Sequence, residues 1–170
     1  MTDIARFIRD IPDFPKPGIV FKDITPLLAD GPALRRTIDG LIEPFRGKVD
    51  IVLGIESRGF IMGAAAAYAM GVGLAIARKP GKLPYHKHAA TYALEYGTDT
   101  LELHLDAIAQ GTRVLLMDDL LATGGTASAA IELVERCGGE VAGCAFVIEL
   151  GFLEGRARLG ANTVHALLRY

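Results

Sequence analysis

Residues Val114 to Thr126 read VLLMDDLLATGGT, and this stretch decides the fold. Val114, Leu115, Leu116 and Met117 are apolar with no polar alternation, the pattern of a central strand covered on both faces. Asp118 and Asp119 stand at its carboxyl end, and the turn Ala122-Thr123-Gly124-Gly125-Thr126 feeds a helical pattern with Ile131, Leu133 and Val134 apolar. In open α/β sheets that edge is where ligands bind. The glycines let the backbone approach an anion, the threonine hydroxyls can donate to its oxygens, and the free N–H groups at the helix start complete a phosphate cradle. The sequence holds neither a P-loop nor a G-x-G-x-x-G after a strand, so the other common phosphate loops are excluded.

Working outward, the chain reads as alternating strands and helices. A short helix is expected around Asp3 to Arg9, then a proline-rich stretch from Pro12 to Pro17 followed by Gly18 to Pro26, together an extended, irregular hood outside the sheet. A helix over Pro32–Phe45, a strand over Asp50–Ile55, a helix over Gly59–Met70 and a strand over Val72–Arg78 follow. Strand–helix–strand order implies a crossover and a parallel sheet. The basic segment Lys79 to His88 reads as a long exposed loop, and Thr91–Tyr96 and Leu101–His104 as hairpin arms joined by Gly97–Thr100. After the signature come a strand over Val141–Leu150, a turn of helix over Glu154–Leu159 and a last strand over Thr163–Leu168. The expected fold class is α/β: a parallel twisted sheet flanked by helices, with an N-terminal hood (1–30) and a flexible hairpin flap (79–104), in a single domain spanning 1–170.

Composition excludes several functions. The 170 residues are 51% hydrophobic, enough for a sizeable core, and the net charge of -2 without a Lys/Arg-rich block argues against nucleic acid or a membrane surface as partner. MTDIARFIRD has no apolar stretch of a secretory signal, and the apolar run Phe60–Ala77 is divided by Gly71 and Gly73, so a cytoplasmic protein is expected. Cys137 and Cys144 read as core thiols rather than a disulfide. His86 and His88 lack a third ligand beside them, and His104 and His165 are isolated.

The acidic pair followed by T-G-G-T resembles the phosphoribosyl-diphosphate (PRPP) signature of the type I phosphoribosyltransferases. Four further segments, GIVFKDITPLL (18–28), GIESRG (54–59), RKPGKLP (78–84) and LEYG (94–97), resemble the adenine-using branch of that family along nearly the whole chain. The resemblance implies a purine-salvage transferase making AMP and pyrophosphate from adenine and PRPP. Mg²⁺ would be bound with the PRPP, with no direct protein ligand and at most a water-mediated contact to Asp118 or Asp119. Ala122, Thr123, Gly124, Gly125 and Thr126 would hold the 5-phosphate, and Asp118 and Asp119 would face the ribose hydroxyls, which donate where carboxylates accept.

The same resemblance implies that Val20 and Lys22 offer backbone groups to the adenine edge while Phe21 packs on its ring. Glu56, Ser57, Arg58 and Gly59 would form the pyrophosphate turn, Arg58 acting catalytically on the leaving group; relatives commonly carry Asp at the Glu56 position, and the extra methylene is tolerated if that carboxylate acts through its backbone or a water. Arg78, Lys79 and Lys82 would add positive charge at the diphosphate. In relatives the first of these reaches the neighbouring subunit's site, which implies a homodimer. Glu95 would manage the proton at N7 or N9 of adenine, with Tyr96 closing beside it. Alternation through Thr91–Tyr96 also allows Glu95 to be the polar face of a hairpin. Three readings stay open beside this one: a 6-oxopurine substrate, a PRPP-sensing regulator without turnover, and a flavodoxin-like FMN protein.

Overall fold

The computed structural model describes residues 4–93 and 97–170. Nine strands are found among them: β1 (Arg9–Pro12), β2 (Val20–Asp23), β3 (Ile51–Ile55), β4 (Gly73–Ala77), β5 (Lys87–Ala93), β6 (Thr98–His104), β7 (Arg113–Leu121), β8 (Glu140–Glu149) and β9 (Val164–Arg169). The α-helices are α1 (Thr25–Ala29), α2 (Gly31–Ile42), α3 (Arg58–Met70) and α4 (Gly125–Arg136). Asp30 caps α2 by accepting from the Ala33 N–H at 2.8 Å.

The main sheet is all-parallel, with strands in the order β4-β3-β7-β8-β9, so the signature strand β7 lies at its centre. Its residues alternate between two buried clusters. Val114 and Leu116 pack with α4 and the β5–β6 hairpin, while Leu115 and Met117 pack with α2 and α3. Coverage on both faces is why the run carries no polar alternation.

β7 runs further than the apolar residues indicate, through Asp118 and Asp119 to Leu121. Its pairing with β3 ends at Gly54↔Met117, whereas pairing with β8 continues to Leu121↔Glu149. The two acids therefore occupy a stretch bonded on one side only, beside the start of α3.

Three segments differ from the sequence reading. The helix expected over Asp3–Arg9 is a single 3-10 turn at Ala5–Phe7, because Arg9 begins β1, pairs with Asp23 in backbone register and holds its carboxylate at 2.7 Å. The hood is not irregular: β1 and β2 form an antiparallel hairpin of their own, apart from the main sheet. The second hairpin is longer than expected, with Ala93↔Thr98 its last pair among the described residues, so residues 98–100 belong to β6 rather than to the connection. The Thr91 and Thr100 hydroxyls meet at 2.9 Å across the two strands. Ala90, Tyr92, Leu101 and Leu103 are buried in the core beside α4, and Arg136 of α4 donates to the Ala89 carbonyl at 2.7 Å. The arms are thereby fastened to the body.

Candidate active site

Two helix starts converge at the carboxyl ends of β3 and β7, neighbouring strands of the sheet. At the first, Glu56 and Ser57 are joined by a cis peptide and lead into α3 at Arg58. At the second, Gly124 precedes α4 with φ of 80°, a left-handed conformation that glycine adopts without steric cost. Neither N-cap residue, Ser57 or Gly124, caps its helix with a side chain, which leaves backbone N–H groups available to an anion. A hollow of about 70 Å³ lies at α4, lined by the whole turn from Ala122 to Thr126 together with Asp118 and Leu120.

The two acids differ. Asp119 is buried and accepts from Arg58 Nε at 2.5 Å. Asp118 accepts from the Asp119 N–H at 2.8 Å, and burial together with the neighbouring Asp119 charge raises its carboxyl well above the usual aspartate range. A Cβ on Gly59 would lie 2.6 Å from the Met117 carbonyl oxygen and 2.9 Å from Asp118 Oδ1, so the close packing of α3 on β7 needs a glycine there.

Arg58 also joins this region to the hood, its guanidinium lying 5.4 Å from the Phe21 ring centroid. A pocket of about 370 Å³ opens between them, lined by Ile11, Phe14, Phe21, Ile24 and Arg58 among others. The side chains of Val20 and Lys22 do not enter it. They project from the opposite face of β2 into a second pocket of about 470 Å³, as strand alternation requires. Of the hood residues singled out in the sequence, Phe21 alone has its side chain facing Arg58.

The basic residues are gathered by carboxylates. Glu56 is the hub of this cluster. Its carboxylate accepts from Lys82 Nζ at 2.8 Å and from the Lys79 N–H at 2.6 Å, and Arg78 lies 3.4 Å away. Burial disfavours its charge, but these donors overcome that and bring its pKa down to about 2. Lys79 Nζ is paired with Asp99 on β6 and lies 3.4 Å from the Tyr92 hydroxyl on β5, which ties the basic loop to the hairpin. Glu95 and Tyr96 lie outside the described residues.

Some contributors gave no signal in the sequence. Gly155 packs so tightly under the phosphate turn that a Cβ there would meet the Ala122 carbonyl oxygen at 2.0 Å, yet it belongs to a segment that reads only as a turn of helix. Asp99 was hidden because residues 97–100 read as a connection. His86 and His88 join no cluster of three or more metal-ligating side chains among the described residues.

The model of the phosphoribosyl transferase domain matches residues 23–160. An adenine phosphoribosyltransferase of Methylococcus capsulatus is 60% identical over the full length of both chains. The chain belongs to the adenine phosphoribosyltransferase family. The solved enzyme of Rhodothermus marinus superposes with a TM-score of 0.94 at 56% identity, covering 98% of this chain and 96% of that one. The family's enzyme from Saccharomyces cerevisiae, solved with an imino-altritol bisphosphate and adenine, superposes with a TM-score of 0.92 at 40% identity, covering 97% and 96%.

Proposed function

We propose that this chain carries out the reaction of its family, transfer of the 5-phosphoribosyl group from PRPP to adenine to give AMP and pyrophosphate. The observation that carries the reading is the chain of contacts from Phe21 to Arg58 to Asp119, with Asp118 beside it lining the hollow of the Ala122–Thr126 turn: an apolar face, a cation, an acidic pair and an anion cradle.

In this reading the turn holds the 5-phosphate with backbone N–H groups and the hydroxyls of Thr123 and Thr126. Asp118 and Asp119 accept from the ribose hydroxyls, which frees Arg58 to turn, with Ser57, toward the diphosphate. Lys79, Lys82 and Arg78 start out paired with Asp99 and Glu56, so binding of the diphosphate is an exchange of counter-ions. That exchange avoids leaving a cation partly desolvated and unpaired. As the C1–oxygen bond breaks, the sugar gains positive charge above the acidic pair while the basic side chains stabilise the departing diphosphate. Adenine stacks on Phe21, with its edge read by backbone groups of Val20 and Lys22. Glu95 handles the N7 or N9 proton, and Tyr96 closes beside it.

Mg²⁺ fits this donor set as a companion of PRPP. Asp118 and Asp119 are two adjacent carboxylates with one already engaged by Arg58, suited to touching the ion through water. When bound, the metal neutralises diphosphate charge. A homodimer is part of the proposal: Ile61 and Tyr68 on α3 and Leu74 and Ile76 on the edge strand β4 are large apolar side chains left exposed. The cytoplasm suits two free cysteines, and among the described residues no helix is long and apolar enough to cross a membrane.

The test offers PRPP and Mg²⁺ with adenine, hypoxanthine, guanine and xanthine separately and resolves the nucleotides by chromatography. AMP from adenine alone is expected. A different nucleotide overturns the base assignment, and PRPP binding without turnover overturns catalysis. Glu95→Gln should lower kcat by about 10² to 10⁴, the usual range for a general acid–base.

A further inference from the structure

The second pocket sits behind β2, on the face away from Arg58, and the side chains that line it are given no part in the proposed reaction. Asp10, Val20, Lys22, Leu150, Phe152 and Tyr170 line it. At its centre the Lys22 ammonium is held by the Asp10 carboxylate at 2.7 Å and lies 4.0 Å from the Tyr170 ring centroid. The Lys22 side chain is only 13% exposed, although it stands on a small hairpin. Tyr170 in turn is fixed to the body, because its N–H donates to the Glu149 carbonyl at 3.0 Å and its carbonyl accepts from the Gly151 N–H at 2.8 Å.

The hairpin is held together by contacts of its own. Arg9 holds Asp23, and Phe14 packs edge-on against Phe21 at 5.2 Å. Two cationic contacts tie β2 to the rest of the molecule from opposite faces: Arg58 over Phe21 and Lys22 over Tyr170. The first must loosen if Arg58 turns toward the diphosphate. The second is independent of PRPP.

We propose that Tyr170 is a positioning residue for the base site. Through the Lys22 ammonium its ring holds β2 at the height at which the backbone of Val20 and Lys22 meets the purine edge. This rests on the base-site reading above and adds to it a residue that touches no substrate. The inference separates the two substrates: loss of the ring shifts the strand that reads adenine and leaves the phosphate turn, at the other end of the site, in place.

The experiment measures KM for adenine and for PRPP, and kcat, in the full chain and in Tyr170→Ala, Tyr170→Phe and Asp10→Asn. Tyr170→Ala should raise KM for adenine about five-fold, the size of a partly exposed cation–π contact. KM for PRPP and kcat should be unchanged, and Tyr170→Phe, which keeps the ring, should restore the wild-type value. Asp10→Asn, at an exposed side chain, should raise KM for adenine in the same direction and serves if Tyr170→Ala does not fold. An unchanged KM for adenine in Tyr170→Ala, or KM for PRPP rising in parallel, overturns the proposal. A wild-type chain that makes no AMP overturns instead the base-site reading beneath it.

Discussion

At Gly59 the nearest neighbours of an added methyl group are a backbone carbonyl and a carboxylate of the site, Met117 O at 2.6 Å and Asp118 Oδ1 at 2.9 Å. The carbonyl cannot retreat without moving β7 or α3, and the carboxylate can do so only by leaving its place in the site. Gly59→Ala should therefore cost about 1–3 kcal/mol, the range for overpacking, and displace Asp118. A lowered denaturant midpoint together with reduced turnover checks this, and an unchanged midpoint would refute it.

Glu56 supplies a second test at the same scale. Its folded pKa is about 2, below the ordinary glutamate value, so its ion pairs contribute stability above the ordinary value, and that contribution is lost as pH falls toward 2. Glu56→Gln should be less stable than the wild type at pH 7, and the gap should shrink as the pH approaches 2.5. Urea titrations at both values measure it, and a constant gap would show that the carboxylate charge is not what matters.

The elements that build the site were legible to different degrees. β3, α3, β7 and α4 each carry a local signal, an apolar run or a helical spacing, and were readable to within a few residues. The two hairpins were harder. β1 was hidden because its pairing with β2 depends on Arg9 meeting Asp23, fourteen positions away, which periodicity does not record. β6 gained residues 98–100 because the partner strand satisfies their backbone, although Gly97 and Asp99 locally favour a turn. The short helical segment Gly155–Leu159 looked peripheral, yet its first residue supports the phosphate turn. Gly155→Ala should push the Ala122 carbonyl out of line and reduce kcat/KM for PRPP by on the order of 100-fold, as misplacement by about 1 Å can. An unaltered value would mean that the turn does not depend on this support.

For the whole molecule, α3 carries a face whose large side chains Ile61 and Tyr68 stay exposed among the described residues, as do Leu74 and Ile76 on β4. Ile61 and Tyr68 are seven positions apart, two helical turns, and Tyr68 is 91% exposed. If this face joins two copies, Tyr68→Glu combined with Ile61→Asp should convert a dimer to a monomer in sedimentation velocity at micromolar concentration. A dimer that persists in the double variant would move the interface elsewhere.

By itself the sequence determined what neighbouring residues decide. The central strand, the phosphate turn and the order of strands and helices follow from apolar runs, glycines and threonines within a dozen positions, and the resemblance of five segments named the chemistry. The tertiary structure alone decided which charges meet. Arg58 reaches Asp119 across 61 positions and Lys82 reaches Glu56 across 26, because parallel strands bring distant strand ends to one sheet edge. The same packing divided β2 between two pockets, Phe21 on one side and Val20 with Lys22 on the other, and set Tyr170 behind it. Such contacts depend on three-dimensional register, which no local pattern of residue types records.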